Sequence, residues 1–201
     1  GIPMEGIINV LKPPGMTSHD VVYFIRRLLG VKKVGHGGTL DPAAAGVLPI
    51  FVGRATKAVE LFGDDDKEYI AEIVFGITTD TGDSQGRILN VKDDFTLNAA
   101  ALEPVLKKFT GLCDQLPPMY SAVHHKGRRL YELAREGITV ERKPRKIRIE
   151  NIELLDLHSY TARIRVVCSK GTYVRTLCED IGRGVGIGAC LGTLVRTRTG
   201  C

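Results

Sequence analysis

Short stretches in which apolar side chains alternate with polar ones recur along the chain, and they predict strands more often than helices. In Lys67–Phe75 every second residue from Tyr69 onward is aromatic or aliphatic, the period of two that a half-buried strand shows. Residues 161–169 alternate in the same way. Further strands are predicted over residues 5–11, 47–52, 119–125, 145–157 and 190–199.

Helical spacing is clearest after Thr17-Ser18, which offers an N-cap to an apolar series that ends at Gly30. Further helices are predicted over residues 54–62, 98–109, 128–136 and 172–183, and a polar loop over 76–87. Strands and helices do not alternate regularly. The sequence therefore predicts an α+β fold, with a mixed, largely antiparallel sheet and flanking helices.

Composition narrows the class of protein. The chain has 201 residues, 43% of them hydrophobic and 25% charged, enough for the core of one globular domain. No apolar run approaches the roughly 20 residues that span a bilayer, and the first residues do not resemble a secretory signal. The five cysteines include no Cys-x-x-Cys pair, which favours reduced core thiols over a disulfide framework or a zinc site. We expect a cytoplasmic protein with neither a metal nor a membrane partner.

The formal net charge of +5 is distributed unevenly. Residues 1–120 carry 12 basic and 15 acidic side chains, whereas residues 121–201 carry 16 basic and 8 acidic ones. Much of the excess lies at 126–129 and 142–148. A basic half is typical of a protein that binds a polyanion, and it is equally typical of the solvated face of a basic protein. Composition leaves both interpretations open.

The segment from Lys33 to Pro49 is rich in glycine and small apolar residues and contains one carboxylate, Asp41. No other side-chain charge lies between Lys33 and Arg54. We expect a carboxylate in such surroundings to be poorly solvated, and hence neutral, paired or reactive. If it is ionised, a cation must come from elsewhere in the chain. Taken alone, Asp41 before a proline is more typical of a turn, and His36 of a structural histidine.

Common cofactor motifs are missing from this sequence. Gly35-His-Gly-Gly38 lacks the third glycine of a dinucleotide-binding motif, and no segment matches a phosphate-binding loop that ends in Gly-Lys-Ser/Thr. The histidines also lack the spacing found in zinc hydrolases. The sequence predicts no nucleotide cofactor and no metal.

The whole string Gly35-His-Gly-Gly-Thr-Leu-Asp-Pro-Ala-Ala-Ala-Gly-Val-Leu-Pro49 resembles the catalytic motif of the TruB family. These are tRNA pseudouridine-55 synthases, which isomerise a uridine in the T loop. Further segments resemble motifs of this family, in the family's order and over nearly the whole chain. They are residues 12–20, 66–69, 79–83, 117–122 with 126–132, and 168–176.

The resemblance implies a pseudouridine synthase fold over residues 1–201, with Asp41 as the catalytic carboxylate. Tyr69 would stack on the target base once it is flipped out of the loop, an interaction worth roughly 1–3 kcal/mol per base. Tyr69 is also a candidate catalytic residue, for removal of the C5 proton. Arg175 would pair with Asp41 and keep it ionised. Asp41 could then add to the base or the sugar, or abstract a sugar proton, and the sequence leaves these routes open. Neither route requires a cofactor or a metal.

The resemblance also implies residues that bind the substrate, a tRNA T stem-loop. Tyr173 and Leu194 would contact the bound nucleotide, and His36 would help to hold the displaced loop bases. Basic side chains of the second half are candidate contacts to the RNA backbone. They are Lys126, Arg128, Arg129, Arg142, Lys143 and Arg145.

Family members usually continue into a small C-terminal RNA-binding domain, and this chain ends at Cys201, soon after Leu194. We expect a truncated chain or a short member of the family, and we expect a monomer.

The chain could instead be an RNA-binding module that assists tRNA folding without essential catalysis. It could also be a guide-RNA-dependent synthase of the dyskerin type. Residues 43–46 and the lack of basic tails favour the stand-alone bacterial type.

Overall fold

The computed structural model describes residues 3–200, which form two compact units. Unit 1 holds the described residues up to Ile70 together with those from Thr193 onward, and unit 2 holds Ala71–Gly192.

The strands are β1 (Gly6–Lys12), β2 (Val34–His36), β3 (Ala45–Val52), β4 (Lys67–Phe75), β5 (Ile77–Thr79), β6 (Ile88–Val91), β7 (Gly111–Gln115), β8 (His124–His125), β9 (Arg128–Arg129), β10 (Arg145–Leu157), β11 (Thr161–Cys168) and β12 (Ala189–Thr199). The helices are α1 (Ser18–Leu29), α2 (Ala99–Lys108), α3 (Leu130–Arg135), α4 (Val174–Gly184) and a 3-10 helix over Gly53–Phe62. β4 and β12 each contribute residues to both units.

Unit 1 is built around β3. β1 pairs with it antiparallel over its whole length, β2 pairs with it antiparallel, and the second half of β12 pairs with it in parallel at Val195↔Ala45 and Arg196↔Gly46. Leu48 and Ile50 of β3 are fully buried. They share one core cluster with the apolar face of α1. This cluster anchors both ends of the segment that carries Asp41.

The helix α1 begins and ends where the sequence predicts. The backbone N–H of Asp20 donates to the Thr17 side chain at 2.9 Å, and the N–H of Thr17 donates back to the Asp20 carboxylate at 2.9 Å, which is a capping box. The helix ends at Gly30 in the left-handed region.

Unit 2 contains an antiparallel arrangement in which β10 lies between β11 and β7, with β4 next to β11. The helices α2 and α4 belong to the same unit, and Leu102, Ile149, Ile164 and Leu177 are among its buried residues. The predicted fold class, a mixed and mostly antiparallel α+β fold, is confirmed.

Three cysteines lie in the interior of the fold as free thiols: Cys168, Cys178 and Cys190. Burial raises the pKa of Cys178 above its usual range and that of Cys190 to about 11. Cys113 is a half-buried free thiol, and Cys201 lies outside the described residues. The three buried cysteines thus lie in the core, as the sequence predicts.

The longer periodic segments were predicted correctly, and several short strands were not. The prediction of a strand over 119–125 is wrong, because only His124–His125 pair, in a two-residue hairpin with Arg128–Arg129. The segment 54–62 is a 3-10 helix. The predicted loop 76–87 begins with β5, and β2, β6 and β7 were not predicted. These strands have three to five residues, too few for a period to show.

Within the described residues, no helix is long and apolar enough to cross a membrane.

Candidate active site

Asp41 lies in the loop between β2 and β3, which is tied to the start of α1. The Ser18 hydroxyl accepts a hydrogen bond from the Leu40 N–H at 2.9 Å and donates to the Leu40 carbonyl at 3.2 Å. The Gly15 N–H donates to the Pro42 carbonyl at 2.7 Å, and the Ala44 N–H closes a turn onto the Asp41 carbonyl at 3.0 Å. The backbone on both sides of Asp41 is therefore fixed by hydrogen bonds.

The Asp41 side chain is exposed, so the expectation of a poorly solvated carboxylate is wrong. Its neighbours explain the difference. Leu40 and Ala44 turn inward and join the core of unit 1, which leaves Asp41, Pro42 and Ala43 on the outside of the loop. The apolar composition of the segment reflects these inward anchors and not the surroundings of the carboxylate.

Unit 1 supplies a cation near Asp41 that sequence reasoning missed. Lys12, at the end of β1, is fully buried, and its ammonium group donates to the carbonyls of Pro13, Met16 and Pro42 at 2.9, 2.6 and 3.2 Å. Burial lowers the pKa of Lys12, and the attraction of Asp41 acts in the opposite direction. The sequence feature that could have indicated this role is a lysine directly before Pro-Pro-Gly, because a turn there places backbone carbonyls near its ammonium group.

A second buried cation, Arg196 of β12, was also missed. Only 2% of its surface is exposed. Its Nε donates to the Val47 carbonyl at 2.9 Å, and its Nη2 donates to the Gly38 carbonyl at 3.2 Å. The available signal was its place two residues after Leu194 on the same face of a strand.

Tyr69, Leu194 and His36 are all found in unit 1. Tyr69 of β4 and Leu194 of β12 are partly buried and pack against the same cluster that contains Leu40 and Ala44. The structure thus brings these two predicted residues together with the anchors of the Asp41 loop.

His36, on β2, is half-buried. Burial lowers its pKa, the charges of His19 and Arg196 lower it further, and a hydrogen bond with the Gly38 backbone opposes the change. Its Nδ1 atom is buried and meets no hydrogen-bond partner among the described residues.

Arg175 and Tyr173 belong to unit 2, at the start of α4. Arg175 is 8% exposed and donates to the carbonyl of Thr81 at 3.2 Å and to that of Tyr120 at 2.8 Å. The backbone N–H of Tyr173 donates to the side-chain oxygen of Gln115 at 2.7 Å, and the side-chain amide of Gln115 donates to the Tyr173 carbonyl at 3.0 Å. Both residues are held by their surroundings. The pairing of Arg175 with Asp41 stays a prediction.

The predicted backbone contacts of unit 2 differ in their surroundings. Lys126, Lys143 and Arg145 are exposed and line a cavity of about 330 Å³ together with the half-buried Arg142. Arg142 donates to the Pro117 carbonyl at 3.0 Å. Arg128 and Arg129 do not line this cavity. Arg128 forms a two-pronged ion pair with Glu136, with its Nη2 at 2.5 Å from the carboxylate.

No group of three or more His, Cys, Asp or Glu side chains in residues 3–200 is arranged to hold a metal ion.

Comparison with known proteins gives a consistent result. The sequence model of the TruB family pseudouridylate synthase N-terminal domain matches residues 26–174. The chain is 54% identical to tRNA pseudouridine synthase B of Symbiobacterium thermophilum, over 98% of this chain and 67% of that protein. It is 53% identical to the protein of the same name from Moorella thermoacetica, over 97% of this chain and 65% of that protein. The chain thus spans about two thirds of the length of these curated relatives.

Solved structures resemble the fold as well. A chain of a Cbf5-Nop10-Gar1 complex superposes with a TM-score of 0.76 at 34% identity, covering 96% of this chain and 48% of that one. A chain of an H/ACA RNP bound to a substrate RNA containing 2′-deoxyuridine gives a TM-score of 0.73 at 31% identity.

Proposed function

Because the chain belongs to the TruB family of pseudouridylate synthases, we propose that it isomerises a uridine in the T loop of tRNA, uridine 55, to pseudouridine. The observation that carries the proposal is that the Asp41 carboxylate is exposed while the backbone of its loop is held by Ser18, Lys12 and Arg196. A carboxylate presented in this way can reach a substrate without rearrangement of the loop. Two relatives named tRNA pseudouridine synthase B, 54% and 53% identical to this chain, support the choice of tRNA as substrate.

The reaction breaks the N1–C1′ bond of the uridine, turns the uracil and joins C5 to C1′. The C5 proton is then lost and N1 gains a proton, so no atom or electron enters from outside. In our proposal Asp41 starts the reaction, either by adding to the base or the sugar or by taking a proton from the sugar. The buried ammonium group of Lys12 holds the Pro42 carbonyl directly after Asp41 and thereby fixes the backbone that presents the carboxylate.

The remaining residues have proposed roles in binding the flipped nucleotide. Tyr69 and Leu194 pack beside the anchors of the Asp41 loop, which suits a stacking ring and an apolar contact. Arg175 is proposed to pair with Asp41, Tyr173 to contact the nucleotide, and His36 to hold the displaced bases. These assignments rest on the family motifs.

The basic residues around 126–145 are proposed to bind phosphates of the T stem, because four of them line one cavity. We further propose that the chain acts as a monomer in the cytoplasm and that residues 1–201 form the catalytic domain. Two alternatives remain: a tRNA-folding module without essential catalysis, and a guide-RNA-dependent synthase like those in the H/ACA complexes. The higher identity to the synthase B relatives favours the stand-alone enzyme.

The test is to mix T stem-loop RNA with the wild-type chain and with Asp41→Asn, and to measure pseudouridine and RNA affinity together. We expect the variant to isomerise about 10²- to 10⁴-fold more slowly, which is the range for the loss of an acid–base group, while its Kd for the RNA stays within about threefold of the wild-type value. Asp93→Asn, a change of the same type in an exposed loop of unit 2, is the control and keeps the wild-type rate.

Two results would contradict the proposal. If Asp41→Asn isomerises at the rate of the control, Asp41 is not the catalytic carboxylate. If the wild-type chain binds the RNA but forms no pseudouridine, the tRNA-folding module is the better interpretation.

A further inference from the structure

We propose that Arg196 is a positioning residue for the reaction: its guanidinium group joins the carbonyl of Gly38 to that of Val47 and thereby holds Asp41 in place. The proposal rests on the function proposed above for Asp41. It assigns Arg196 no contact with the substrate.

The two acceptors lie on either side of Asp41 in the chain. Gly38 lies three residues before Asp41, and Val47 lies six residues after it, so the two hydrogen bonds of 3.2 and 2.9 Å enclose the loop. Both donors belong to one planar group that is 98% buried. A rigid group between the two ends of a loop fixes the distance between those ends, and with it the direction in which the loop points.

Two glycines of the loop segment lie against residue 196, and at one of them, Gly46, the contact leaves no room for a side chain. Gly46 has φ +123° and lies directly beside the backbone of Arg196, so that a Cβ atom there would overlap the Arg196 carbonyl oxygen. Gly38 has φ +94°, and a Cβ atom there would lie 3.6 Å from the Arg196 guanidinium. Both positions have backbone conformations that other residues adopt only with strain. These glycines therefore fit the contact with β12 that brings Arg196 to the loop.

The chemistry of the arginine side chain suits a positioning role. A guanidinium donates along several fixed directions in one plane, whereas a lysine ammonium is a compact point charge. Lysine at position 196 would keep the charge but would have a single nitrogen in place of the Nε and Nη2 atoms that reach the two carbonyls separately. The loop would then lose one of its two ties, and the carbonyl at that end would lose its donor from residue 196. A merely structural positive charge would tolerate this exchange.

The test compares Arg196→Lys with Arg198→Lys, the same exchange two residues along β12. Arg198 donates to the carbonyl of Gly200 and serves as the matched control. Three quantities are measured: the single-turnover rate with saturating T stem-loop RNA, the Kd for that RNA, and amide hydrogen exchange along the chain. We expect Arg196→Lys to slow the single turnover about 10- to 100-fold, the effect of a displacement of about 1 Å at a reacting group, with Kd within about threefold. Exchange should accelerate at least about tenfold in residues 37–44 and stay unchanged in unit 2. Arg198→Lys should behave as wild type in all three.

The outcomes separate this proposal from the proposed function. If the wild-type chain does not isomerise RNA, the proposed function fails, and hydrogen exchange still decides whether Arg196 holds the loop. Wild-type turnover and wild-type loop exchange in Arg196→Lys would overturn the proposal. So would accelerated exchange throughout the chain, because it would indicate a general role in stability. If Arg196→Lys does not fold, Arg196→Gln is measured in the same way, and failure of both to fold would count equally against a positioning role.

Discussion

His36 shows how the surroundings of one residue set its protonation. The histidine is half-buried next to the Asp41 loop, and both its burial and the charges of His19 and Arg196 lower its pKa below the usual 6.5. Near pH 7 the imidazole is therefore neutral. A neutral ring can both donate and accept hydrogen bonds, which suits the proposed role of holding displaced bases.

This pKa change predicts how stability depends on pH. Because the pKa is lower in the folded chain, the unfolded chain takes up the proton first as the pH falls below about 6.5. The contribution of His36 to the free energy of unfolding is complete above that pH and is lost as the pH falls through the lowered folded pKa. We expect His36→Gln to show a smaller loss of stability than wild type between pH 7.5 and about 5.5, measured by urea denaturation. His124→Gln, at an exposed histidine, should keep the wild-type loss. Equal losses in all three proteins would show that His36 is not the group responsible.

The sequence suggests candidate catalytic residues but does not reveal the residues that hold the candidate site in place. Asp41 was found from its isolation among uncharged residues and from the family motif. Lys12 and Arg196 were missed, because their roles depend on contacts with Pro42 and Gly38, 30 and 158 positions away in the chain. Local patterns carry no information about such distances. The exposure of Asp41 was mispredicted for the same reason, since it depends on which neighbours reach the core.

The start of helix α1, which the local sequence specifies, contacts the loop of the candidate site. Its N-cap, Thr17, precedes Ser18, whose hydroxyl holds the backbone of Leu40 beside Asp41. The capping box was predictable from Thr17 and from the apolar spacing that follows. The hydrogen bond from Ser18 to the loop was not, because it requires the approach of a segment 22 positions away.

The cap predicts a measurable contribution to stability. Thr17→Ala removes the acceptor of the Asp20 N–H and should lower the free energy of unfolding by about 1 kcal/mol. Thr96→Ala, at an exposed threonine before α2, is the matched control and should change it by less than about 0.5 kcal/mol. Chemical denaturation at neutral pH measures both. If the two variants lose the same amount, the capping box does not stabilise α1.

The strands illustrate which elements a sequence can specify. β4 and β10 were predicted with the bounds that the structure has, because nine and thirteen residues are enough for a pattern to emerge. β7 has five residues and was not predicted, although it pairs with β10 from Arg145↔Gln115 to Ile149↔Gly111. Such a short strand is stabilised by its partner, and the partner is 30 positions away at the closest pairing, Arg145↔Gln115.

On the scale of the whole chain, several of the basic side chains that make the charge uneven lie close together in unit 2. Lys126, Arg142, Lys143 and Arg145 line one cavity, which the sequence could not show because residues 126 and 145 are distant in the chain. The structure also distinguishes among the predicted RNA contacts. The Arg128 charge is compensated by Glu136, which raises the pKa of Arg128 and lowers that of Glu136.

This difference predicts unequal contributions to RNA binding. Each phosphate contact releases counterions, so the loss of one contact lowers the slope of log Kd against log salt by about 0.7 to 0.9. We expect Lys143→Gln to lower the slope by about this amount for T stem-loop RNA and to weaken binding at low salt. Arg128→Gln should change the slope by much less, because phosphate would have to displace the Glu136 carboxylate that already holds the guanidinium. Lys107→Gln, at an exposed lysine of α2, is the control for the loss of one charge and should leave the slope unchanged. Equal slopes for Lys143→Gln and Lys107→Gln would mean that the cavity does not bind the RNA backbone. A larger effect of Arg128→Gln than of Lys143→Gln would mean that Glu136 releases its partner when RNA binds.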